Sequence, residues 1–123
     1  MATIKSYTDI EQSKKLAEIL PLESADMGWN VFVDGTTRIL PINDWDLTKD
    51  GSGNVKFYHA WSLAALLGVL PFPQLSKDEL GSGKVGWMVS VYPDNSRYDS
   101  CWHDNPVDAC YEMIIKLNEL NLL

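Results

Sequence analysis

Residues 84–110 read "KVGWMVSVYPDNSRYDSCWHDNPVDAC", and the reading of this stretch decides the fold. Trp87, Val89 and Val91 recur at every second position, the period of a strand with one face buried. "PDNS" (93–96) supplies a turn, because Pro93 presets its backbone and Asn95 tolerates a left-handed one. The return strand places Tyr98, Ser100 and Trp102 on one face and Arg97, Asp99, Cys101 and His103 on the other. The chain then enters a helix. Asn105 is its cap, Pro106 fits the first helical position, and Asp108 favours the positive end of the helix dipole. Val107, Cys110, Ile114 and Leu117 form the helical stripe, widened by Met113 and Leu120. The Trp87/Val89/Val91 and Tyr98/Trp102 faces are expected to meet that stripe, with Trp102 turned inward.

Working outward, "QLSKDELGSG" (74–83) reads as a solvated connection. "AWSLAALLGVLPFP" (60–73) reads as a buried helix of about nine residues, apolar nearly all round and ended by Gly68 and Pro71. "PINDWDLTKDGSGNVKFYH" (41–59) is a long polar loop with a short strand at Val55–Tyr58. "WNVFVDGTTRIL" (29–40) is a hairpin turning at Asp34–Gly35. In "YTDIEQSKKLAEILP" (7–21), Thr8 and Glu11 have capping-box spacing, and Pro21 stops the helix. The expected class is α+β: three helices packed on antiparallel strands from two β-hairpins, in the order α-ββ-α-ββ-α. Residues 1–123 are expected to form a single globular domain.

Composition narrows the function. With 46% hydrophobic and 22% charged residues, the chain is that of an ordinary globular protein. A formal net charge of −7, with Lys14–Lys15 its only adjacent basic pair, argues against gripping nucleic acid or an anionic membrane. No apolar run is long enough to span a bilayer, no signal peptide is visible, and two cysteines fit a reducing, cytoplasmic setting with free thiols. Phosphate-loop, HExxH, CxxC and GxSxG signatures are absent.

Three groups of residues invite a functional reading. Cys101 and His103 share one side of a strand, about 6.6 Å apart along the backbone. Two ligands fall short of a zinc site, and the spacing is too wide for an easy thiol–imidazole contact, so an architectural role is expected for both. "DLTKDGSGNVKF" (46–57) resembles a calcium-binding EF-hand loop at Asp46, Thr48, Asp50 and Gly51, but has Gly53 and Phe57 where that loop needs an apolar residue and a glutamate. No cofactor, metal or catalytic residue is therefore expected. Trp29, Trp45 and Trp61 crowd the middle of the chain with Phe57 and Tyr58. Trp61 and Trp87 are expected in the core. Trp29 and Trp45 are the candidates for an interaction surface.

"IEQSKKLAEILPLESADM" (10–27), "AWSLAALLGVLP" (60–71) and "DNPVDACYEMIIKLNELNLL" (104–123) resemble, as a set, blocks of a family of small uncharacterised proteins of gut bacteria and their phages and mobile elements. The layout is also similar to that of phage ABA-sandwich domains. The resemblance implies a helical frame carrying varied hairpins, and it implies no catalytic or binding residue. The expected function is a small non-enzymatic binding or accessory protein of phage or mobile-element origin, acting on a host protein. The alternatives are a homo-oligomeric structural protein associating through "NELNLL" (118–123), and a hydrolase or metal-dependent enzyme using Cys101 and His103. The sequence carries no signal for the oligomeric state.

Overall fold

The first helix, α1 (Ile10–Ile19), begins one residue later than the capping-box spacing suggests. Asp9 is the cap: its carboxylate accepts the Gln12 N–H at 2.8 Å, and the Gln12 side chain accepts the Asp9 N–H at 3.2 Å. Thr8 is taken inward instead, where its hydroxyl meets the Ser13 hydroxyl at 2.8 Å in a buried pair. A computed structural model describes residues 5–41 and 56–123, which gather into two compact units: Tyr7–Ala65, and Leu66–Leu123 with the N-terminal residues up to Ser6.

In the first unit, β1 (Met27–Val31) pairs antiparallel with β2 (Thr37–Pro41) and with β3 (Lys56–Ala60), giving the order β2-β1-β3. The turn is longer than the two-residue one expected. Phe32 N–H donates to the Thr36 carbonyl, and Asp34 accepts both the N–H and the hydroxyl of Thr36, while Gly35 takes a φ of 87°. The short strand expected at Val55–Tyr58 is β3, the third member of this sheet. Helix α1 packs on β3, with Lys14 lying over the Tyr58 ring. Leu16, Ala60 and Trp61 are fully buried. The Trp61 indole N–H donates to the Ser24 hydroxyl at 2.9 Å, and its backbone N–H donates to the Thr8 hydroxyl at 3.1 Å.

The middle helix, α2 (Leu63–Val69), is shorter than expected and buries only Leu66, leaving Ala64 and Gly68 exposed. Ser62 caps it by accepting the Ala65 N–H, and Asp26 in turn accepts both the N–H and the hydroxyl of Ser62.

The second unit carries a strand where the sequence suggests a connection. β4 (Gln74–Glu79) pairs antiparallel with β5 (Val85–Val91), which pairs with β6 (Tyr98–Asp99), in the order β4-β5-β6. β4 is hidden in the sequence because it is an edge strand of mostly polar residues; charge on an edge discourages further pairing. Helix α3 (Pro106–Glu119) packs on β5. Asn105 caps it by accepting the Asp108 N–H at 2.8 Å, with Pro106 in the first turn. Val107, Cys110, Met113, Ile114 and Leu117 are fully buried with Val89 and Val91. Each such aliphatic side chain contributes roughly 1.5–3 kcal/mol by leaving water. Leu120 departs from the expected stripe and is 48% exposed, lying at the helix C-cap, where Asn121 turns left-handed. Trp87 is half-buried, with Lys77 over its ring, rather than in the core.

Among the described residues, two three-stranded antiparallel sheets and three α-helices make an α+β architecture. No helix among the described residues is long and apolar enough to cross a membrane.

Candidate functional site

The return strand after the PDNS turn does not alternate as expected. Val91 pairs with Tyr98 and Ser90 with Asp99, but Trp87 pairs with His103. An unbroken ladder would bring Trp102 opposite Trp87, so the return strand holds one extra residue, a β-bulge. Ser100 marks the point of departure. Its N–H donates to the Val89 carbonyl at 3.0 Å, as in a ladder. The Val89 N–H goes to the Ser100 hydroxyl at 3.0 Å, and that hydroxyl donates to the Cys101 carbonyl. A one-residue slip reverses the faces of everything beyond it.

The slip corrects two expectations. Trp102 is turned outward and is 40% exposed. His103 shares the α3 side of the sheet with Trp87, while Cys101 is exposed. Glu112 of α3 receives both ends of the bulge. Its Oε2 accepts the Cys101 N–H at 2.9 Å, and its Oε1 lies 2.8 Å from His103 Nε2. Burial alone would raise the Glu112 carboxyl, yet the hydrogen bonds from Cys101 and His103 hold it below the usual glutamate range.

Glu112 belongs to a ridge of α3 with helical i, i+4 spacing. Asp108 pairs with Lys5 at 2.9 Å, and the Lys116 ammonium donates to the Asp99 carbonyl at 3.2 Å. The three side chains fasten the helix to neighbouring segments of its own unit. The spacing Asp108–Glu112–Lys116 is visible in the sequence; its partner strand is not, because the bulge decides which residues it meets.

Chemically, this cluster holds a cysteine, a histidine and a glutamate. Among the described residues, the hydrogen bond of the His103 ring goes to Glu112, and none joins it to the Cys101 sulfur. No group of three or more histidine, cysteine or acidic side chains among the described residues is placed to hold a metal ion. Cys110 is fully buried, and burial pushes its thiol up to about 12.

The open face of the same sheet carries a second feature. Gly86 lies beneath Leu80 and Trp102. A Cβ there would stand 2.4 Å from Leu80 Cδ1 and 3.1 Å from Trp102 Cε3. The two side chains thus close over bare backbone, and Leu80 is itself 47% exposed. Sequence reasoning missed Leu80, Gly86 and Glu112. A glycine inside a strand pattern is the signal that something crosses there.

Of the other candidates, Trp29 is fastened within its unit: its indole N–H donates to the Thr8 carbonyl at 2.9 Å, and Tyr7 meets its ring edge-on. Trp45 and the calcium-loop resemblance from Asp46 to Val55 lie outside the described residues. Phe57, the last residue of that stretch, lies in β3 with its ring across Gly28. Comparison with family models, with curated proteins and with solved structures gives no match.

Proposed function

We propose that the protein is a small non-enzymatic binding protein that holds a protein partner on the Trp102–Leu80 face. One observation carries this reading: a tryptophan and a leucine meet over the backbone of Gly86 and leave much of their surface to water. Aromatic anchors of this kind dominate protein interfaces. The non-enzymatic part is supported by the hydrogen bond of the His103 ring, which goes to Glu112 and not to the Cys101 sulfur.

Charge selects the kind of partner. Asp78 stands opposite Gly86 in the ladder, Glu79 follows it, and Asp104 follows His103. All three are exposed, the exposed cation Lys84 is close in sequence, and the whole chain carries −7. A second copy would bring like charges together. The face therefore suits a partner that offers an apolar side chain within a basic rim. A cytoplasmic setting, for which the two free thiols speak, and a host protein as that partner, with a phage or mobile-element origin drawn from the sequence resemblance, belong to the same proposal.

The test is comparative capture from host lysate with the wild type, Trp102→Ala and Leu80→Asp. A protein retained by the wild type, lost by both variants and released by salt supports the reading. Equal retention by folded variants overturns it. A second reading, self-association through the end of α3, is favoured by exposed Leu120 and Leu123. Light scattering that gives a monomer at all concentrations removes it.

A further inference from the structure

The segment from Ser100 to His103 has two registers open to it, and the structure occupies the bulged one. In the plain register, the ladder Val91–Tyr98, Ser90–Asp99 would continue to Trp87–Trp102. Trp102 would then face α3, as alternation predicts, and His103 would face away. In the bulged register, Trp87 and His103 exchange both backbone hydrogen bonds at 2.8 Å, and Trp102 lies on the open face. The plain register gains the burial of an indole. What it loses is held by Glu112.

We propose that Glu112 is a latch that selects the bulged register, and that releasing it lets the segment slip by one residue and turns Trp102 towards α3. Two features argue for it, beside the hydrogen bond by which Glu112 Oε2 holds the Cys101 N–H, a group that points away from β5 in either register. His103 reaches Glu112 Oε1 only from the side of the sheet where the bulge puts it. Gly86 gives Trp102 room on the open face, where a Cβ would meet it. A single carboxylate thus ties down the residues on both sides of Trp102. The latch gives the docking face its tryptophan, but it stands on the strand geometry alone, so its failure would leave the binding proposal untouched.

The two registers differ in which amide meets the Trp87 carbonyl. The Trp87 carbonyl accepts from His103 N–H in the bulge and would accept from Trp102 N–H after the slip. Hydrogen exchange followed by NMR on the full chain reads this directly. In Glu112→Ala, protection is expected to fall by about tenfold or more at His103 and to rise at Trp102, with the Val91–Tyr98 end unchanged. Glu112→Gln keeps one acceptor and one donor, so it is expected to keep the wild-type pattern. Loss of the Cys101 bond alone would not move protection between these two amides. Unchanged protection at His103 and Trp102 in folded Glu112→Ala overturns the proposal. Should that variant not fold, the wild type decides. Exchange of the His103 amide by a local opening, faster than at Val91, is expected; exchange only through global unfolding overturns the second register.

Discussion

Trp87 and His103 exchange a pair of backbone hydrogen bonds at 2.8 Å, although an unbroken ladder would have joined Trp87 to Trp102. That single extra residue sends Trp102 to solvent and brings His103 to Glu112. It also gives the Glu112 carboxylate a share in the acid stability of this unit, beside Asp99, which its hydrogen bonds from Arg97 and Ser90 hold below the usual aspartate range. The Glu112 carboxyl is held below its ordinary range in the folded chain. Its contribution is therefore fully present above the ordinary glutamate value, about 4.3, and is lost as pH falls through the lower folded value. Urea midpoints measured from pH 6 down to 3 are expected to fall less steeply in Glu112→Gln than in the wild type. Parallel curves would show that the carboxylate charge is not what the bulge uses.

The two thiols should behave as opposites. Cys101 is exposed and Cys110 is fully buried, with its thiol pushed up to about 12. A thiol reagent at pH 8 is expected to label Cys101 in the native protein and both cysteines in denaturant. The raised value also fixes a sign. The unfolded thiol ionises near its ordinary value, roughly 8.5, while the folded one stays protonated. Stability should fall as pH rises above that value towards about 12, and Cys110→Ala should remove that part of the fall. Native labelling of Cys110 at the rate of Cys101 would contradict the packing of α3.

Gly28 is covered on one side by the Phe57 ring, and a Cβ at this position would stand 2.3 Å from Phe57 Cε2. Alanine normally improves a strand by about 0.5–1 kcal/mol over glycine. Here the ring must swing away, and overpacking of this kind costs roughly 1–3 kcal/mol. Gly28→Ala is expected to lower the urea midpoint, and Gly28→Ala with Phe57→Leu to recover part of the loss.

How far the sequence could be read follows from where each element takes its instructions. Helix α3 was legible because Asn105, Pro106 and the stripe from Val107 to Leu117 are local signals that packing reinforces. Strand β4 was not, since Gln74–Glu79 is polar and reveals itself only by pairing with β5. The tryptophan-bearing face was misread for a different reason. Alternation is a sound rule within one register, and no residue between Ser100 and His103 announces that the register changes. The chemistry of the bulge lies on α3, at Glu112, nine residues beyond His103. Cys101 and His103 lie two residues apart in the sequence, but the group that meets both, Glu112, is out of reach of strand spacing.

The buried hydroxyl pair of the first unit gives the strictest energetic test. Thr8 and Ser13 are both fully buried, their hydroxyls are 2.8 Å apart, and the Thr8 hydroxyl also accepts the Trp61 N–H at 3.1 Å. Thr8→Val keeps the shape but leaves Ser13 and Trp61 each without this partner, which costs roughly 1–3 kcal/mol for each buried polar group stranded. Ser13→Ala removes one hydroxyl and lets that of Thr8 keep Trp61, so it should cost less, about 1 kcal/mol. The double variant no longer strands the Ser13 hydroxyl, and its cost should be less than the sum of the two single ones. Denaturant unfolding of the four chains measures this coupling directly. Additive costs would mean that the two hydroxyls do not depend on each other, contrary to the geometry that places Thr8 inside the fold and leaves capping to Asp9.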